Sequence, residues 1–315
     1  MADRNHSMRS VSIRNVHSSP ATETAMQEKT KVVACPKTNK AVDKYRPTKL
    51  ALSVARNSSR MQFDRSTLEF KTVGLAVMNF MDFLTHPEQK YEKTTLQYLE
   101  GLDNDKIIQL NQLLSTSLKD LPSTRKIHSK SLYYGLLADE TTFLELFGSF
   151  DPEILRDVRI KMLKLTKEGW ETVASTDQWK KAESVVIEVE NLMPIVNFFE
   201  KTSFYTIVKE MSTMEAAFLL RAFVIKERVH GSFFYVRSEE PLDFKEILKN
   251  GGWEEKNEPV TSPWKAVLHT QRFTLPREDL VLVVIFMEHE ITGKICKKAS
   301  IDEDCLSYYS KYFFD

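Results

Sequence analysis

An α+β fold, predominantly helical and preceded by a disordered basic arm, is what the 315-residue sequence predicts. Three observations carry that expectation. Residues 1–62 are rich in Ser, Thr, Asn and Lys with few large apolar groups, too few to repay the entropy of ordering. From 63 to 211 apolar residues recur at helical spacing, and from 212 onward Val, Phe, Tyr and Ile gather in runs of strand length. The organisation that follows is a flexible basic arm (1–62), an all-α region (63–211) and an α+β region with a helix, a β-hairpin or small antiparallel sheet and an aromatic tail (212–315). Residues 63–315 alternatively make one domain.

Taken in order, Val73, Val77, Phe80, Met81 and Leu84 share one helix face, and His86-Pro87 ends the run. A second helix carries Ile107, Ile108, Leu110, Leu113, Leu114 and Leu118, opened by Asn104 or Asp105 and closed before Pro122. A weaker helical pattern covers Leu132 to Phe147. At Asp151-Pro152-Glu153 a capping Asp and a Pro suited to the first helical position predict a helix running to Gly169, with Ile154, Val158, Met162 and Leu165 as its apolar stripe. Pro194 divides Ala182–Thr202 into two helical segments. Ser212 and Glu215 form a capping box for another helix. Ser232–Arg237, Val267–Leu275 and Leu280–Thr292 read as strands, the last two paired across Pro276–Asp279, with a long loop over Asn250–Pro263.

The formal net charge of zero is a cancellation. Met1–Arg60 holds 12 Lys and Arg against 4 Asp and Glu, and the remainder 32 against 40. Cations that displace condensed counterions from phosphates favour nucleic-acid binding without sequence preference, so the arm residues Arg9, Arg14, Lys29, Lys31, Lys37, Lys40, Lys44, Arg46, Lys49, Arg56 and Arg60 are candidate RNA contacts. Two patches in the body extend them: Arg125, Lys126 and Lys130 with His128 after Pro122, and Arg156, Arg159 and Lys164 on the helix expected from Asp151. The last eight residues include Tyr308, Tyr309, Tyr312, Phe313 and Phe314, an aromatic anchor for the parent body or for a neighbouring copy.

Composition argues against several classes. Nine scattered glycines form neither GxGxxG nor GxxxxGK[ST], which disfavours phosphate-cradling loops. No GxSxG or HExxH occurs, no two histidines have zinc-ligand spacing, and Glu288-His289-Glu290 reads as strand-end polarity, so no catalytic residue, metal or cofactor is assigned. Cys35, Cys296 and Cys305 make no disulfide framework and suit a reducing compartment; Asp302, Glu303 and Asp304 should raise the Cys305 pKa. No apolar run is long enough to span a bilayer. The location expected is cytoplasmic or nuclear, the Arg- and Ser-bearing N-terminus leaving organellar import as the alternative.

Two function classes follow. One is a non-enzymatic, self-associating RNA-binding protein of nucleocapsid-like or viral accessory type. The other is a regulatory protein-interaction module whose arm is phosphorylated at Ser10 and Ser12 beside Arg9, or at Ser58 and Ser59 beside Arg60. An enzyme without a motif ranks third.

Overall fold

A single twelve-stranded mixed sheet runs through the computed structural model, which describes residues 47–305 apart from 56–57, 65, 99–103, 123–124, 137–138, 162 and 261–265. Its strands and helices, in chain order, are β1 (Lys49–Val54), β2 (Ser59–Phe63), β3 (Ser66–Phe70), α1 (Val73–Leu84), β4 (Tyr91–Tyr98), α2 (Asn104–Lys119), β5 (Ser129–Gly135), α3 (Glu140–Ser149), β6 (Asp157–Ile160), α4 (Lys167–Ser175) and α5 (Asp177–Lys181). There follow β7 (Ser184–Asn191), a 3-10 turn (Ile195–Phe198), β8 (Ser203–Val208), α6 (Thr213–Ile225), β9 (Phe233–Ser238), α7 (Phe244–Gly251), β10 (His269–Thr274), β11 (Leu280–Phe286) and β12 (Glu290–Lys297).

The fold is therefore α/β, and the expectation of a predominantly helical protein is corrected. Six of the twelve strands, β3 to β8, lie in the stretch expected to be all-α, and β1 and all but the last residue of β2 lie within the stretch expected to be a disordered arm. The helix expected from Asp151 is a single turn. Asp151 accepts from the Glu153 amide at 2.9 Å, and the chain then extends into β6, where Val158 and Ile160 alternate into the core. Its cap and proline are real, but an alternating period overrides them. Ala182–Thr202, expected as two helices, is β7 followed by the 3-10 turn after Pro194. Leu132 to Phe147 divides into the end of β5 and most of α3.

Unlike the helix expected from Asp151, three expected helices are present. Thr72 caps α1, accepting from the Leu75 amide, α2 spans its expected range, and Ser212 with Glu215 completes a capping box on α6. The expected hairpin is β10 against β11, but the single strand expected over Leu280–Thr292 ends at Phe286, where a turn at Met287–His289 returns the chain as β12.

Strand order explains the layering. Seven strands, β1 and β4 to β9, run parallel, each beside the next in sequence, with antiparallel strands added at both ends. Right-handed crossovers between successive neighbours place every crossover on the same face. The core accordingly lies on that side. Leu52, Leu96, Tyr134, Ile160, Ile187, Phe204 and Val236 point from the strands toward Phe80, Leu114, Phe147, Trp170, Trp179 and Phe223. Gly293 is required in β12 because a Cβ there would strike the Phe234 ring.

The three crossovers from β6 to β9 are each tied to the one before by a buried polar side chain. Gln178 donates to the Gly148 and Phe150 carbonyls (3.0 and 2.8 Å). Lys201 donates to the carbonyls of Trp179 and Ala182, and Arg228 to those of Phe199 and Lys201. Buried carbonyls at crossover bends need donors; these long side chains reach back one unit to supply them.

Candidate functional site: the sheet face opposite the helices

In every parallel strand the residues that do not enter the core point to the opposite face, and the register aligns them in rows. The central row is Ala51, Thr95, Tyr133, Arg159, Val186, Tyr205 and Tyr235. Beside it run Lys49, Lys93, Ser131 and Asp157, and on the other side Glu188 of β7, then Arg237 paired in register with Glu290.

Tyr133 and Arg159 are adjacent. The Arg159 guanidinium lies 5.5 Å from the Tyr133 ring centre and the Lys93 ammonium 5.9 Å, so two cations flank one aromatic ring. The ring folds over Gly135, where a Cβ would come within 3.1 Å, and glycine leaves room for that pose. Arg159 also pairs with Glu188, which takes Lys161 at 3.5 Å. Tyr205 and Tyr235 stack with centres 4.7 Å apart and planes 5° from parallel. Burial raises the hydroxyl pKa of both; for Tyr235 a hydrogen bond with Glu290 adds to it. Both phenols stay protonated, and so remain donors, throughout the neutral range.

At the C-terminal ends of β8 and β9 this face opens into a cleft of about 710 Å³ lined by Ile207, Arg237, Glu239, Met287, His289 and Glu290, among others. Toward β11 the face is covered by the chain itself: Val260 and Val267 pack on Phe233 and Ile285, and Ile301 and Cys305 on Val281 and Val283.

Residues 95–250 match the model of the FTH domain. No curated protein and no solved structure matches the chain. The segment matching the FTH domain begins inside β4 and ends inside α7, so it carries the central row from Thr95 to Tyr235.

The residues expected to bind nucleic acid do not converge within the described part. Arg9, Arg14, Lys29, Lys31, Lys37, Lys40, Lys44, Arg46 and Arg56 lie outside the described residues, as do Tyr308, Tyr309, Tyr312, Phe313 and Phe314. Lys49 opens β1 on the row face, and Arg60 on β2 pairs with Glu69 at 2.9 Å. Lys130 pairs with Glu92 at 2.9 Å, and Arg156 with Glu183 at 3.2 Å. Arg125 lines a groove between α1 and α2, Lys126 donates to the Gly148 carbonyl, and Lys164 is exposed after β6. Arg159 alone of these enters the central row. Ser59 is buried in β2, so the Arg60 side of the proposed phosphorylation pair is folded into the sheet.

The sequence reading missed Tyr133, Tyr205, Tyr235, Glu188 and Arg237. The available signal was alternation: Ser-Phe-Tyr-Thr-Ile-Val at β8 and Ser-Val-Val-Ile-Glu-Val at β7 both have a period of two. Cys305 also behaves otherwise than its acidic neighbours suggested. Its pKa is lowered, first by a hydrogen bond from Cys296. Among the described residues no group of three His, Cys, Asp or Glu is placed to hold a metal ion, and no helix is long and apolar enough to cross a membrane.

Proposed function

We propose that the chain is a non-enzymatic protein-interaction module that binds an extended segment of a partner protein across the row face of its parallel sheet. The observation carrying this reading is the in-register row in which Tyr133, Arg159 and Tyr205 are half-buried, with Tyr235 buried at its end. Tyrosine and arginine supply large contact area together with donors and dominate binding energetics at interfaces. Stacked parallel units present such residues as an extended surface. Six strand spacings of about 4.8 Å give a row of roughly 29 Å, the reach of about nine extended residues.

The test is selection of peptides from a random display library by the full chain. Arg159→Ala and Tyr133→Ala should each weaken the selected peptides at least tenfold, as expected of a central anchor, whereas Lys130→Ala should leave affinity unchanged. Failure to select any peptide, or equal losses for all three variants, would refute the reading.

A second reading rests on the net positive charge of Met1–Arg60. Under it that segment binds single-stranded RNA and the aromatic tail mediates self-association. Affinity should then fall roughly 100-fold between 50 and 200 mM salt for about five phosphate contacts. Arg159→Ala should not affect it.

A further inference from the structure

Two thiols meet at the covered end of the row face. Cys296 lies on β12 and Cys305 in the helical turn at 301–305, with their Sγ atoms 3.8 Å apart and both side chains buried. They pack against Val281 and Val283 of β11. The turn is anchored through Asp304, whose carboxylate accepts from the Lys297 amide at 2.9 Å and the Ser300 hydroxyl at 3.2 Å and pairs with His230 at 2.9 Å. Lys294 donates to the Asp304 carbonyl. A segment held at both its start and its end keeps the sulfurs within a small side-chain rotation of the roughly 2.05 Å disulfide bond.

The two thiols are chemically unequal. A hydrogen bond between the sulfurs lowers the Cys305 pKa, and the Lys294 ammonium lowers it further, while the Cys296 thiol is also within reach of the Lys294 carbonyl at 3.7 Å. Cys296 is held as the thiol by that same hydrogen bond and by burial. This is the division between an attacking and a resolving sulfur.

We propose that Cys296 and Cys305 form a peroxide-oxidisable dithiol whose disulfide pins the C-terminal turn across β11 and β12. The Cys305 thiolate attacks one oxygen of a hydroperoxide, breaking the O–O bond to give a sulfenic acid and releasing hydroxide, or alkoxide from an organic peroxide. Cys296 sulfur then attacks the sulfenic sulfur; its proton and the departing hydroxyl leave as water. Two thiols are oxidised by two electrons, the peroxide is reduced, and a thiol reductant reverses the bond. Because both sulfurs are buried, oxidation proceeds through local opening of the turn at 301–305.

The experiment treats the full-length chain with hydrogen peroxide, alkylates remaining thiols and maps tryptic peptides by mass spectrometry. Cleavage after Lys297 and Lys298 separates the two cysteines, so a bridge appears as two joined peptides. The expected result is a Cys296–Cys305 link, removed by dithiothreitol, formed before any link to Cys35. In Cys296→Ser a sulfenic acid trap should label Cys305, while in Cys305→Ser it should leave Cys296 unlabelled. The proposal is overturned if both thiols stay alkylatable, if either proceeds to unlinked sulfinic acid, if the bridge goes to Cys35, or if the trap labels the opposite cysteine.

Discussion

Lys201 shows what a single buried cation does here. Its ammonium sits over the Trp179 ring at 5.0 Å and donates to carbonyls of the preceding crossover. Burial pulls its pKa from 10.5 to about 8. Between those two values the unfolded chain holds a proton that the folded chain has released, so stability rises with pH across that window. The raised tyrosine pKa values act in the opposite sense above pH 10, which limits the clean interval to pH 8–10. Unfolding free energies from urea titrations across that interval should rise for the wild type relative to Lys201→Met by on the order of 1 kcal/mol. A flat difference would mean that water solvates the ammonium. Arg159 teaches the complementary point. The sequence singled it out as a cation, but its partners Tyr133 and Glu188 come from neighbouring strands 26 and 29 positions away, and no local pattern announces such a meeting.

At the level of elements, legibility followed the range of the forces involved. α1 and α2 were legible from three or more turns of apolar spacing and α6 from its capping box, whereas the cap at Asp151 stood before a strand. Ser212 satisfies the Glu215 amide while Glu215 accepts from the Ser212 amide at 2.9 Å. Ser212→Ala should therefore cost about 1 kcal/mol in chemical denaturation, and Glu215→Ala a smaller amount in the same assay. The parallel strands were hidden for a physical reason. They are four to eight residues long, and apolar residues such as Ile154, Val158 and Met162 satisfy helical spacing while Val158 and Ile160 satisfy alternation. Only pairing with β5 and β7 decides between the periods. The C-terminal hairpin escaped this ambiguity because β10 and β11 are joined by a short turn and are rich in β-favouring residues.

Over the whole molecule, each parallel unit packs on its neighbours, and the three crossovers from β6 to β9 are also laced to the preceding one by Gln178, Lys201 and Arg228. Stability in such an array is a sum of unit and nearest-neighbour terms, and a lesion is felt most where it is made. Leu52→Ala in β1 removes a fully buried side chain and should cost about 2–5 kcal/mol. Hydrogen exchange should accelerate in β1 to β4 well before it does in β9 to β12; equal acceleration throughout would show that the sheet opens as one unit.

The crossovers are unequal in length. Strand starts are separated by 38 positions between β4 and β5 but only 19 between β7 and β8, and yet the central row stays in register, the shift between β7 and β8 falling after Val186. Insertions and deletions can thus accumulate behind the sheet without disturbing the order of side chains in front of it. Such a scaffold can diversify one letter at a time, since exchanging the central-row residue of one strand rewrites one position of whatever is read while leaving its neighbours legible.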